Sequence, residues 1–280
     1  MGDDLSSKID YAHLMFEQNV LIALMVTVFA ASTTMIGALS MIGAKESNPR
    51  LLAFGLSFAG GAMIYISLVE IFVKSQISFG EIFAEKHAYS AATLAFFAGV
   101  FLLAILDKLL PNPHIKLARP HDVQSDESKR KQLSKVGLMA TLAITAHNIP
   151  EGMATFFSTL DSPTIGISLA IAIAIHNIPE GLSIAIPVYY ATGSKKKAVL
   201  ATFVSAIAEP IGAILGYLVL APFIGPAVYG SLFGVIAGAM VYLALDELLP
   251  TAKRYAQGHE TVYGIVSGMA LIALSLVMFK

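Results

Sequence analysis

The sequence predicts an all-α membrane protein. Eight transmembrane helices are expected, with an inverted repeat of helices 1–3 and 6–8 around a central antiparallel pair, helices 4 and 5. Three observations lead there. The chain has 280 residues, of which 56% are hydrophobic and only 13% charged, where a soluble protein carries about 25% charged residues. Its apolar runs each reach the ~20 residues that a spanning helix needs. Finally, Gly61-Ala62-Met63-Ile64-Tyr65, leading to Glu70 in the second run, recurs 177 residues on as Gly238-Ala239-Met240-Val241-Tyr242, leading to Glu247 in the seventh. Helices five apart in number cross a bilayer in opposite directions, which makes the repeat an inverted one.

In order, the runs lie at 19–42, 51–74, 89–110, 135–159, 163–190, 197–220, 227–249 and 260–279. Residues 1–18 are polar and acidic without a basic n-region, so no signal peptide is expected. Met1-Gly2…Ser6 matches the loose myristoylation pattern, which is common by chance. Ile36-Gly37-Ala38 in the first run and Ile211-Gly212-Ala213 in the sixth add a weaker repeat match. Small residues in such matches also serve ordinary helix packing, but the acid recurring at one position argues for a true repeat. Connections are short except for 111–134, rich in Pro, Lys, Arg, Asp and Ser. That stretch reads as a solvated loop within one transmembrane domain of residues 1–280. Its His114 and His121 read first as plain surface residues.

Orientation follows from the cationic side chains. With the N-terminus outside, the inner connections hold fourteen Lys and Arg, among them Lys45, Arg50, Lys108, Lys129 to Lys131, Lys195 to Lys197, Lys253 and Arg254, and the outer segments four: Lys8, Lys74, Lys86 and Lys280. Both termini are therefore expected outside the cytoplasm. A net charge of −1 gives no electrostatic case for nucleic acid, and the absence of cysteine excludes disulfides and thiolate ligands.

The chemistry sits in one hexapeptide used twice. His147-Asn148-Ile149-Pro150-Glu151-Gly152 in the fourth run recurs 29 residues later as His176-Asn177-Ile178-Pro179-Glu180-Gly181 in the fifth. Charged groups in hydrocarbon are expensive unless paired, so they mark a functional site by default. His and Glu four apart share one helix face, and Asn lies about 100° round from His. In an antiparallel pair, His147, Glu151, His176 and Glu180 can close a first divalent-cation site. Asn148, Asn177 and the remaining oxygens of the two glutamates face a second. Glu209, mid-span in the sixth run and next to Pro210, supplies a third carboxylate. Imidazole suits zinc and iron, whereas carboxylate and amide oxygen suit harder ions such as manganese. Three clustered carboxylates repel one another without cations, so they are expected to share protons that metal displaces. Pro150 and Pro179 cannot donate to the carbonyls of Ala146 and Ile175, which frees those oxygens and bends the helices.

These features resemble the ZIP (Zrt/Irt-like) divalent metal transporter family, and most its bacterial branch. The resemblance covers the whole chain: eight helices, a variable cytoplasmic loop after the third, and His-Asn-x-Pro-Glu-Gly in the fourth and fifth. It implies import of Zn2+, with Fe2+, Mn2+, Co2+ and Cd2+ as further cargo, across a cell (inner) membrane through a binuclear centre. It also implies that His147, Glu151, His176 and Glu180 hold one ion. Asn148, Glu151, Asn177, Glu180 and Glu209 would hold the other, with the two glutamates bridging.

Peripheral residues extend the reading. Asp107, Asp246 and Glu247, with His114, form a candidate exit relay at the cytoplasmic side. Glu70 could collect metal at the outer end of the second helix. Ser32, Thr33 and Thr34 could line an outer path, although hydroxyls that bond their own helix are the commoner case. Gly60-Gly61 could let helices slide or dimerise, so a homodimer joins divalent ions and lipid among the candidate partners. The competing class is an intramembrane metalloenzyme. It would want a three-ligand zinc with a general-base Glu, often as His-Glu-x-x-His, and that motif is absent here. A transporter and not an enzyme is therefore expected.

Overall fold

The computed structural model describes residues 3–43, 49–109 and 126–279, and among them every regular element is helical. Helix α1 covers Asp3–Gly43. Helix α2 (Pro49–Ile66) continues through a π-helical segment, Ser67–Ile71, into α3 (Phe72–Gly80). Then come α4 (Glu85–Leu109), α5 (Asp126–Asp161) and α6 (Pro163–Thr192), followed by α7 (Lys195–Ala206) and α8 (Ala208–Leu220). Helix α9 (Pro226–Leu243) passes through a second π-helical segment, Ala244–Leu248, into α10 (Leu249–Tyr255), and α11 covers Glu260–Phe279.

Among the described residues, seven helical stretches are long and apolar enough to cross a membrane: Gln18–Met41, Ala53–Gly80, Glu85–Ile105, Pro163–Ile186, Lys195–Phe223, Pro226–Tyr255 and Glu260–Met278. Helix α5 is not among them. Its described half carries His147, Asn148, Glu151 and a run of hydroxyls, and these side chains are buried among other helices instead of facing outward. Conversely, the molecule's surface shows Leu94, Phe101, Leu218 and Val277 exposed, as a lipid-facing surface requires.

Local chemistry explains the breaks. Ser162 is extended, Pro163 opens α6, and Gly193 closes it at φ 65° with its N–H on the Tyr189 carbonyl. Glycine takes that left-handed position without a Cβ penalty. Ser194 then caps α7, accepting from the Lys197 N–H at 3.3 Å. The sixth span divides at Ile207 because Pro210 has no N–H for the Ala206 carbonyl. Ile207 still bonds Phe203 and Ile211 bonds Ile207, at 3.0 and 3.2 Å, so the direction is kept. By contrast α5 and α6 stay helical through Pro150 and Pro179.

One expectation shifts. The stretch 111–134 is not loop throughout, since α5 already begins at Asp126; residues 111–125, with His114 and His121, lie outside the described residues, as do Met1 and Gly2. Gly60 and Gly61 lie at close helix contacts within the chain. A Cβ on Gly60 would meet Leu249, and one on Gly61 the backbone of Ile265.

Packing falls into two helix groups. Helix α1 packs on α6, and α5 packs on α6 and α8; separately, α11 packs on α2 and α4 on α9. The groups meet mainly where α2 touches α6 and α5 touches α9. Glycines set the closest approaches. In the second group, Gly61 faces the backbone of Ile265 and Gly238 that of Phe96, while Gly99 faces Val235 and Gly268 faces Phe58. In the first, Gly37 faces the Ile178 carbonyl and Gly212 that of Ile149; Gly181 faces Thr34 and Gly152 faces Glu209. Each contact has a counterpart in the other half of the chain, and the two π-helical segments are themselves 177 residues apart.

Gly238→Ala therefore forces a methyl onto the Phe96 backbone and should cost about 1–3 kcal/mol, the usual price of overpacking. Gly80→Ala, with nothing within 4 Å of its Cβ, should be neutral or slightly stabilising. Thermal unfolding of the detergent-purified variants distinguishes the two.

Candidate metal centre

The site begins with two helices and a broken third. Helices α5 and α6 present the hexapeptides to each other, and the break before Glu209 lets α8 start with its carboxylate aimed at the same place. Glycine makes the approach close enough: Gly152 sits on the Glu209 backbone, and Gly181 sits on that of Thr34.

At the meeting point His147 Nε2 lies 3.3 Å from Glu180 Oε1 and 3.7 Å from Glu151 Oε2. His176 Nε2 bonds the other oxygen of Glu151. His147, Glu151 and Glu180 each offer a ligand atom, and these atoms lie within 4.8 Å of one another. The structure thus brings His147, Glu151, His176 and Glu180 together. Asn177 Nδ2 donates to Glu209 Oε1 at 2.8 Å and to the Ala30 carbonyl at 3.1 Å. Asn148 Nδ2 donates to the carbonyl and hydroxyl of Ser205 at 2.9 and 3.3 Å. The seven side chains are all buried, six of them with no exposed surface.

The two amides are fixed in the same way. Each spends N–H donors on a carbonyl of a neighbouring helix and on one side-chain oxygen, the Ser205 hydroxyl for Asn148 and the Glu209 carboxylate for Asn177, and each keeps its Oδ1 without a hydrogen-bond partner. Glu180 Oε2, Glu209 Oε2 and the Nδ1 atoms of His147 and His176 are likewise unpartnered. Buried polar atoms are normally satisfied, and leaving one unpaired costs about 1–3 kcal/mol. A single centre collecting this many acceptors and imidazoles, with no basic side chain among them, matches what a cation with oxygen and nitrogen ligands would satisfy. The donor set lacks sulfur, since the chain has no cysteine.

Several contributing residues were not legible beforehand. Ser205 and the Ala30 carbonyl orient the asparagines. Ser205 lies four residues before Glu209, hence on its face, which is the only signal that could have flagged it. Met63, Ile144, His147, Leu243, Glu247 and Leu248 line a small recess, so that it joins His147 of the centre to Glu247, which clusters with Asp107 and Asp246. Those three half-buried carboxylates form a second cluster of closely spaced ligand atoms. Glu70 is buried within the π-helical segment Ser67–Ile71. Of the outer hydroxyls, Ser32 bonds the Phe29 carbonyl of its own helix at 2.6 Å. Thr33 bonds those of Ala30 and Ala174, each at 2.7 Å. The buried Thr34 hydroxyl has no hydrogen-bond partner.

A bundle of apolar helices that closes around carboxylates, imidazoles and amides defines a multi-pass membrane protein with a candidate cation site inside it. Comparison with known proteins makes the class specific. The family model described as ZIP Zinc transporter matches residues 107–276, and the chain belongs to that family. It is 59% identical to the zinc transporter ZupT of Neisseria meningitidis serogroup B over 261 residues, 93% of this chain and 97% of the relative. The zinc transporter ZupT of Xanthomonas axonopodis pv. citri is 57% identical over 262 residues, 94% and 96% of the two chains. That of Chlorobium chlorochromatii is 44% identical over 264 residues, 93% and 98%.

Glu209→Gln keeps an oxygen for Asn177 while removing a buried charge. The metal-free variant should unfold at a temperature no lower than the parent's, since one of three crowded carboxyl groups is removed from the buried centre. The rise in unfolding temperature on adding zinc should shrink, because that rise reports affinity for the folded state.

Proposed function

We propose that this chain imports divalent metal cations, zinc foremost, into the cytoplasm through a binuclear centre within the bilayer. The observation that carries the reading is the buried convergence of His147, Glu151, His176 and Glu180 from two antiparallel helices. The relatives named as zinc transporters support it along nearly their whole length, and they favour a transporter over an enzyme. In this reading His147, Glu151, His176 and Glu180 hold one ion. Asn148 and Asn177 offer their unpartnered Oδ1 atoms to the other, together with Glu209 and the second oxygens of Glu151 and Glu180. Iron, manganese, cobalt and cadmium are compatible cargo by ligand type.

We read α5 as an eighth span alongside the seven apolar ones, its polarity confined to the site and its surroundings. The paired glycine contacts and the two π-helical segments support the inverted repeat of helices 1–3 and 6–8. With the cationic connections inside, both termini lie outside the cytoplasm. The recess beside His147 then leads inward to Asp107, Asp246 and Glu247, which serve as the exit carboxylates. The two helix groups, joined mainly through α2–α6 and α5–α9, supply the parts that move against each other in alternating access.

Vesicles reconstituted with the protein should take up zinc or iron. Glu151→Ala and Glu180→Ala should each reduce uptake to near background, and normal flux in both variants would remove the centre from the mechanism. Metal affinity of the parent should fall as the medium is acidified, because the ligands bind metal as neutral imidazole and ionised carboxylate and protons compete for the same atoms. Isothermal titration with zinc across a pH series measures this.

A further inference from the structure

Beyond the centre, toward the end of α5 away from the Lys/Arg-rich connection, five aromatic rings stack across the boundary between the helix groups. Phe156 packs on Phe157 at 5.5 Å and on Tyr217 at 5.4 Å; Phe157 meets Tyr229 at 6.2 Å, and Tyr229 stacks on Phe233 at 5.8 Å. Phe156, Phe157 and Tyr217 come from α5 and α8, in one group. Tyr229 and Phe233 come from α9, in the other.

An ammonium lies against this cluster. Lys74, in α3, places Nζ 5.2 Å from the centre of the Phe233 ring and 3.9 Å from Asp161 Oδ2 at the end of α5. Lys74 had been counted among the residues of an outer segment; its side chain is in fact only 8% exposed, against 44% for Asp161. Nζ has no hydrogen-bond partner, although an ammonium carries three donors. The charge is therefore held by one long ion contact across the group boundary and one ring face, both weak supports for a buried cation. Nothing about packing calls for a charge there: Leu or Met would fill the volume and avoid desolvation. A fixed positive charge in a low-dielectric route also repels a divalent cation strongly.

We propose that Lys74 is a tethered gating cation at the outer mouth of the path. It bridges α3 to Asp161 and, with the aromatic cluster, holds that mouth shut. It must withdraw before a divalent ion can pass, and its withdrawal leaves the Asp161 carboxylate for the incoming ion to meet. Glu70 lies within electrostatic reach of the same ammonium, so the lysine stands where a cation is wanted on both sides. The flexible four-carbon stem makes such a withdrawal feasible, and Lys74 closely follows the π-helical segment Ser67–Ile71, a type of irregularity often found at functional sites. The assignment of this end as the outer one rests on the transport reading above.

The chain has no cysteine, so Ser158→Cys supplies a sole thiol. Ser158 is fully buried with an unpartnered hydroxyl and lies about two turns beyond Glu151 on the same face of α5. Labelling by a membrane-impermeant maleimide, added outside intact cells, should be slow in this background. Lys74→Met and Asp161→Asn should each speed it roughly tenfold, the response to ~1.4 kcal/mol of lost preference for the closed state. Combining them should add little, because both remove one interaction, and Lys74→Arg should stay slow. Unchanged rates in both single variants, or fully additive effects, overturn the proposal. If a single variant fails to fold, the exchange of Lys74→Asp with Asp161→Lys decides: slow labelling supports the gate and fast labelling overturns it. The measurement needs no metal. Loss of the transport reading would show as absent flux with the labelling pattern intact, and acceleration only in inverted vesicles would overturn the outward assignment alone.

Discussion

The structure depends on one electrostatic constraint: three carboxylates, two imidazoles and two amides must share a water-poor interior. Removing a carboxylate from water costs several kcal/mol even after relaxation. Among the described residues, no lysine or arginine stands at the centre to offset it. The protein answers with short imidazole–carboxylate contacts, with donation from Asn177 to Glu209, and with a shape in which the remaining oxygens converge. That convergence of unpartnered acceptors suits the centre to a cation, whereas a structural ion pair would be self-contained.

Convergence at that scale needs backbones to come unusually near, and glycine permits it. Gly152 lies on the backbone of Glu209 itself, so the residue that completes one hexapeptide also positions the third carboxylate. Proline acts on the same helix for a different reason. Pro210 removes the N–H that would have continued α7, and the break brings Glu209 to the head of α8. Asn148 and Asn177 then tie the centre to two further helices, through Ser205 and Ala30. The parts form a mutual brace: small residues set the distance, prolines set the breaks, and amides set the rotation.

Much of this could be read in advance, because the signals are local or periodic. The hexapeptides named their own helices and faces; Glu209 declared itself as an acid in an apolar run. The sequence reading located eight apolar runs, of which the fourth is the least apolar, since the polarity of His147, Asn148 and Glu151 lowers the average over α5. Other features left no such mark. Lys74 near the end of an apolar run resembles any interfacial lysine, and only packing shows it buried against Phe233. Ser205 and Ala30 are ordinary helix residues until a neighbouring asparagine reaches their carbonyls. Gly60 and Gly61 read as small residues suited to close helix contact, but only the fold shows that they meet Leu249 and Ile265.

The sequence by itself determined the helical membrane class, the duplicated hexapeptide and the third carboxylate, because these follow from composition and from spacing along one helix. The tertiary structure alone decided which carbonyls orient the asparagines, which glycines meet which backbones, how the carboxylates near α4 and α10 gather, and where Lys74 finds its partner. Each of these joins residues more than fifty positions apart. Their proximity arises from helix packing, and no periodicity along a single segment encodes it.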